Sequence, residues 1–340
     1  MLPATTVESI RLALERAESV LVICHVSPDG DAISSLTAAG LALEQLGKTF
    51  TLVCDDGLPE RFLYLPLSHK VSSEPDSNIK YDLIIALDAG DASRLGRAYA
   101  ALMETSPPLI NIDHHITNTN FGQINLISPE ANATTEILLH LFPSLGVVLT
   151  EELAVCLLTG LVTDTLAFRT AGVNAATLRA AATLVEAGAN LFDVTSKALA
   201  LKPVSTLLIW QIGLNNMRME DGLLWTSISS GEREEAGHLG GSSFGLGNMM
   251  ADVYQAKLSA VMLEMADGRV SVGFRCRPPY SVSDLAMSLG GGGHHLAAGC
   301  TVEGPLAEAV SLVVERSKES IRRQRLALGQ RRQTSDVQPH

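Results

Sequence analysis

Four short segments of the chain bring imidazoles and carboxylates to the ends of apolar runs. His25-Val26-Ser27-Pro28-Asp29-Gly30-Asp31 follows the apolar stretch 20–24, and Asp88 follows 83–87. Asp113-His114-His115 follows 109–112, and Asp164 follows the helical run 153–162. Taken alone, Asp-Gly-Asp is ordinary turn and helix-capping chemistry. Repetition at the ends of three strands and a helix argues for more, because crowded carboxylates raise one another's pKa unless cations neutralise them. Two divalent cations would relieve that repulsion. Mixed imidazole and carboxylate donors suit Mn²⁺, with Mg²⁺, Co²⁺ and Fe²⁺ as rivals. No cysteines have zinc-chelate spacing, and Cys24 points to the face of its strand opposite His25, toward a core.

Positioning these groups calls for alternating strands and helices. The runs 20–24, 50–54, 83–87 and 109–112 read as buried strands, and 31–47 repeats apolar residues at helical spacing. This order predicts an α/β fold with a doubly wound, mainly parallel sheet. Ala/Leu-rich helical patterns over 134–200, broken by Pro143, Gly172 and Gly188, close this domain at 1–197. A linker over 198–205 precedes a smaller α/β domain, 206–317. There the pattern predicts a strand at 223–229, a Gly/Ser loop at 240–247 and an amphipathic helix from about Asn248. A hairpin pairs 260–265 with 269–276 about Asp267-Gly268, and Gly290-Gly291-Gly292-Gly293-His294-His295 follows. Residues 318–340, rich in Lys and Arg, read as a solvated basic tail.

Composition narrows the function classes. The 340 residues hold 46% hydrophobic and 18% charged residues, enough apolar material for real cores. No apolar run approaches the roughly 18 residues needed to cross a bilayer. There is no basic stretch leading into an apolar core at the N-terminus, and the five cysteines are scattered, so the expected location is the cytoplasm. A net charge of −12 disfavours long phosphate polymers, whose affinity comes largely from Lys and Arg; any nucleic-acid substrate should be short.

In order and spacing, His25-x-x-Pro28-Asp29-Gly30-Asp31-Ala32, Asp88, Asp113-His114-His115 and Asp164 resemble the motifs of the DHH phosphoesterase superfamily. Gly290-Gly291-Gly292-Gly293-His294 with Ala297-Ala298-Gly299 resembles the signature of its DHH-associated C-terminal domain. The resemblance spans about residues 15–315 and is similar to the bacterial oligoribonuclease (nanoRNase) branch, some members of which dephosphorylate 3′-phosphoadenosine 5′-phosphate. It implies an active site in the cleft between the two domains. One Mn²⁺ would sit on His25, Asp29 and Asp88, the other on Asp31, Asp88, His114 and Asp164. Asp88 would bridge the two, with a shared hydroxide as nucleophile. His115 is left to meet the scissile phosphate and protonate the leaving oxygen, and Asp113 to orient a neighbour. Arg275, Gly291, Gly292, Gly293 and His294 would hold the substrate's terminal phosphate, with Arg277 a weaker candidate.

The implied activity is a metal-dependent phosphodiesterase acting on oligoribonucleotides of about two to five units and releasing mononucleotides. The alternatives are a phosphatase for 3′-phosphoadenosine 5′-phosphate, a phosphodiesterase for linear dinucleotides and, outside the enzymes, a catalytically silent nucleotide-binding module. The expected partners are these small nucleotides, with no membrane and no long nucleic acid; a homodimer is compatible.

Overall fold

The computed structural model describes residues 2–100, 107–237 and 245–335 and divides into two compact units, Met1–Leu201 and Lys202–His340. In the first unit six strands form one parallel sheet: β1 (Ser19–Cys24), β2 (Thr49–Val53), β3 (Val71–Ser72), β4 (Leu83–Leu87), β5 (Leu109–Asp113) and β6 (Ile124–Ile127). Their spatial order is β3-β2-β1-β4-β5-β6. The chain runs outward from β1 through β2 to β3, then returns to the other side of β1 with β4. The sheet therefore reverses direction between β1 and β4, and open α/β sheets bind ligands at the carboxyl ends of strands at such a point.

The strands are apolar on both faces because helices cover both. Val20, Val22 and Cys24 of β1 join one core, and Leu21 and Ile23 join another across the sheet. The first core is packed by α1 (Ala4–Arg16), α2 (Gly30–Gln45), α4 (Thr134–Leu141), α5 (Glu151–Asp164) and α6 (Ala175–Glu186). The second is packed by α3 (Gly96–Ala100) and its surroundings. Asp29 caps α2, its side chain accepting from the backbone N–H groups of Asp31 and Ala32. Two glycines let α5 lie against α2 at unusually close range. A Cβ on Gly30 would fall 2.3 Å from Thr163, and one on Gly160 would fall 2.4 Å from the Asp31 carboxylate.

The expected linker at 198–205 is shorter in the structure. α7 (Leu191–Thr195) continues as a π-helical turn over Ser196–Ala200, and α8 (Val204–Asn215) begins directly after Pro203. The second unit contains β7 (Arg218–Glu220), β8 (Leu223–Ile228), β9 (Leu258–Glu264), β10 (Val270–Cys276), β11 (Gly292–Gly293) and β12 (Ala297–Val302). They form a mixed sheet ordered β11-β12-β10-β9-β8-β7. Its other helices are α9 (Ser230–Glu235), α10 (Leu246–Ala251), α11 (Ser283–Ser288) and α12 (Leu306–Ser335). The amphipathic helix expected from Asn248 is the short α10. The expected loop at 240–247 lies outside the described residues up to 244.

The tail from Lys318 is corrected. α12 runs unbroken to Ser335, because Val313, Ser317 and Ile321, one helical turn apart, keep its apolar face buried past that point. All five cysteines are free thiols. Among the described residues, no helix is long and apolar enough to cross a membrane.

Candidate active site

The ends of β1, β4 and β5 deliver His25, Asp88 and Asp113, the loop after β5 adds His114 and His115, and α2 and α5 add Asp31 and Asp164. His25 is buried, with Nε2 3.6 Å from Asp88 Oδ2 and 3.8 Å from Asp29 Oδ1. Its Nδ1 lies 2.8 Å from the Val26 carbonyl and 3.1 Å from Arg94 Nη2, which leaves Nε2 turned toward the carboxylates. His114 repeats the arrangement: Nδ1 lies 3.3 Å from the Ala131 carbonyl, while Nε2 lies 3.5 Å from Asp88 Oδ1 and 3.2 Å from Asp164 Oδ2.

Two of the buried carboxylates, Asp31 and Asp88, are held by α4. Thr134 and Thr135 donate their backbone N–H groups to Asp31, and the Thr135 hydroxyl donates to Asp31 Oδ1 at 2.7 Å. The Thr134 hydroxyl donates to Asp88 Oδ1 at 2.9 Å. The positive end of the α4 dipole thus faces two anions that the sheet has taken out of water. Asp88 itself has φ of +59°, a left-handed backbone that Asp tolerates better than most residues.

Crowding of charge at this site shifts the titration of its groups. Burial, with the facing Asp88 and Asp164 carboxylates, raises Asp31 well above the ordinary carboxylate range. Burial raises Asp164 to about 6 even against the hydrogen bond from His114. Burial would lower His25 and His114, yet the carboxylates around them overcome it and raise the two imidazoles to about 11 and about 10. Asp29 is also opposed by burial, but His25 and the backbone N–H groups it caps bring it down to about 2. The imidazolium charges are thus the counterpart of the surrounding carboxylates.

The donor set suits metal. His25, Asp29 and Asp88 offer ligand atoms all within 4.8 Å of one another, as do Asp31, His114 and Asp164, with Asp88 beside His114 linking the two sets. Nitrogen and oxygen donors without thiolate match a first-row divalent ion, and loading it would displace protons from the imidazoles.

Asp113 is fully buried, and its carboxylate lies within 4.8 Å of ligand atoms of Asp88, His114 and His115. It accepts from His115 Nδ1 at 2.6 Å, from Asn118 Nδ2 at 2.6 Å and from the His114 backbone N–H at 2.8 Å. These bonds hold the His115 ring, and Asp113 raises the imidazole above its ordinary value.

The remaining candidates lie in the second unit. Arg275 ends β10 and is clamped: Nε donates to Asn248 Oδ1 and Nη1 to the Phe274 carbonyl, both at 2.8 Å. Arg277 is exposed and donates to the Val253 carbonyl. The glycine run has an architectural explanation at three of its positions. Gly290 has φ of +78°. A Cβ on Gly291 would fall 2.1 Å from the Gly299 carbonyl oxygen, and one on Gly293, with φ of +138°, would fall 2.6 Å from Ala298. A Cβ would meet open space at both Gly290 and Gly292, and of the two only Gly292 has no positive φ. His294 is exposed at the turn between β11 and β12.

The sequence reading missed Thr134, Thr135, Asn118, Gly160 and Arg94, whose Nη2 lies 3.1 Å from His25 Nδ1 and 3.5 Å from the Val26 carbonyl. The N-cap of α4 is Ala133, without a side-chain cap, so nothing local marks any of these residues.

Residues 19–161 match the DHH family, N-terminal domain. The chain is 33% identical over 322 residues to the bifunctional oligoribonuclease and PAP phosphatase NrnA of Thermus thermophilus, covering 93% of this chain and 95% of that one. It is 24% identical to the Bacillus subtilis protein of the same description, over 84% of this chain and 90% of that one. A crystal structure of an exopolyphosphatase-related protein from Bacteroides fragilis superposes with a TM-score of 0.87 at 24% identity, covering 94% of this chain and 97% of that one, a likeness of fold.

Proposed function

The chain belongs to the DHH family of phosphoesterases, and from that premise we propose that it hydrolyses short oligoribonucleotides to mononucleotides and dephosphorylates 3′-phosphoadenosine 5′-phosphate. The observation that carries the chemistry is the pair of donor sets joined at Asp88. The substrate classes follow the description of the Thermus thermophilus relative.

Two Mn²⁺ ions, held by His25, Asp29 and Asp88 and by Asp31, Asp88, His114 and Asp164, would lower the pKa of water and offset charge building on phosphorus. The chain's own groups then have distinct tasks. The Val26 and Ala131 carbonyls orient the His25 and His114 rings so that Nε2 points to the carboxylates. Thr134 and Thr135 keep Asp31 and Asp88 aimed without occupying all their lone pairs. Asp113 accepts a hydrogen bond from His115 Nδ1–H, so Nε2 is the atom that meets a substrate oxygen and, when protonated, gives its proton to the leaving oxygen. Arg275, pre-set by Asn248, supplies a charge-assisted contact for a terminal phosphate. Gly292 and His294 are its companions in this reading. The two glycines that flank Gly292 contribute by shaping the turn.

The test is a time course of product lengths from a 5′-labelled pentaribonucleotide, with Mn²⁺ and with chelator, beside phosphate release from 3′-phosphoadenosine 5′-phosphate. Mononucleotides and phosphate should accumulate only with metal. Failure of both substrates in Mn²⁺, Mg²⁺ and Co²⁺ would defeat the reading and favour a silent nucleotide-binding module.

A further inference from the structure

The correction at the C-terminus changes what the basic residues can do. A frayed tail would scatter its charge, whereas α12 fixes it on a rigid rod anchored by Val313 and Ile321. From Arg316 to Arg332 the only acid is Glu319, in a chain whose net charge is −12. Lys318, Arg322 and Arg325 are spaced i, i+4, i+7 and share one face, at axial steps of about 6 and 4.5 Å.

Their surroundings extend the patch. Arg322 is exposed, with no carboxylate within ion-pair distance among the described residues. Arg325 Nη2 comes within 3.5 Å of the Asp221 carbonyl. Gly222, at φ of +92°, has no side chain to separate Arg325 from Lys257: a Cβ there would fall 3.6 Å from Arg325 Nη2 and 3.0 Å from Lys257 Cγ. The nearby acids are Glu220, paired with Lys318, Glu319, three residues before Arg322 and paired with Arg316, and Asp221. Lys257, Arg322 and Arg325 therefore form a positive surface only partly balanced by its neighbours.

We propose that this face of α12, with Lys257 beside it, docks single-stranded RNA through its phosphates, outside the catalytic machinery. The choice of RNA rests on the oligoribonucleotide reading above; the presence of a polyanion site rests on the patch alone. The net charge of −12 weighs against a long polymer, but at physiological salt charges more than about 8 Å away are largely screened, so the local cluster governs contact. An anionic lipid surface fits less well, because a membrane-lying helix needs a broad apolar face and this stretch exposes chiefly Leu326.

The experiment measures anisotropy of a 5′-labelled 24-residue oligoriboadenylate with the full chain in chelator, so that nothing is cleaved. Three cation–phosphate contacts predict a slope of log affinity against log salt near −2. The exposed double variant Arg322→Glu/Arg325→Glu should bind at least tenfold more weakly with a slope below −1 in magnitude, and Arg322→Gln/Arg325→Gln should fall between. Both variants should hydrolyse a diribonucleotide within twofold of the parent in Mn²⁺. Equal affinity of all three chains for the 24-mer would overturn the proposal. So would sedimentation with phosphatidylglycerol vesicles in the absence of RNA binding. If the parent bound the 24-mer and the variants did not, while no chain cleaved a diribonucleotide, the docking surface would stand and the proposed function would fall.

Discussion

The carboxyl ends of β1, β4 and β5 and the glycine-bearing end of the second sheet both gather residues with chemical potential, yet they are built on opposite plans. At the first, the carboxylates and imidazoles are buried or half-buried except for the exposed Asp29, and Asp31 is met by three donors from α4 and pressed by α5. At the second, Arg275 has two bonds and much of the glycine run serves strand packing. Burying charge is costly unless every group is compensated, so the first region tolerates few changes. The second, at the surface, should respond to substitution by degree.

The most direct way to break this contrast is Asp88→Asn. The bridging carboxylate serves both donor sets, so kcat should fall by about three orders of magnitude or more, while thermal unfolding of the metal-free protein stays almost unchanged. Activity within tenfold of the parent would remove the shared-ligand assignment.

A smaller effect is expected from Gly160→Ala, which touches no substrate. Its methyl would meet the clamped Asp31 carboxylate and the Thr135 side chain. Overpacking of this kind costs roughly 1–3 kcal/mol, and displacing Asp31 should weaken one of two metal-binding events in a calorimetric titration. An unshifted melting temperature with two normal binding events would show that the first region is more plastic than its packing indicates.

Arg275→Ala should act mainly on KM. Loss of one charge-assisted contact costs about 1.5–3 kcal/mol, or about ten- to a hundredfold, with kcat on small activated phosphodiesters nearly intact. Equal losses on both kinds of substrate would move Arg275 into the chemistry or into folding.

The glycine run sharpens the comparison at its low end. Gly291→Ala should destabilise the second unit measurably, whereas Gly292→Ala should change stability by less than about 0.5 kcal/mol, the usual range for an unconstrained surface site. A rise in KM for Gly292→Ala alone would identify it as the glycine that contacts substrate.

The legibility of each region follows the same division. His25, Asp29, Asp31, Asp88, His114 and Asp164 stood out because ionisable groups directly after buried strands are hard to explain otherwise. The strands before them were equally visible, since residues apolar on both faces leave no polar period to confuse. β6 was missed because Asn125 interrupts four residues that are mostly half-buried, and β12 because Ala297-Ala298-Gly299 has little strand propensity. Thr134, Thr135 and Gly160 act through tertiary contacts with Asp31, which no local pattern encodes. The course of α12 was misjudged because its basic residues outweighed the spacing of Ser317 and Ile321.

The placement of β1 between β2 and β4 also bears on how the protein becomes competent. Parallel pairing of β1 with β4 joins strands that are far apart in sequence, and such non-local contacts form slowly. The cluster closes only when α5 seats on α2 and brings Asp164 to His114. An unfolded chain offers scattered acids and imidazoles, so a divalent ion selects the completed first unit by mass action and should slow its unfolding as well as raise its melting temperature. Metal supply during synthesis would then govern how long each new molecule lasts as well as how fast it works.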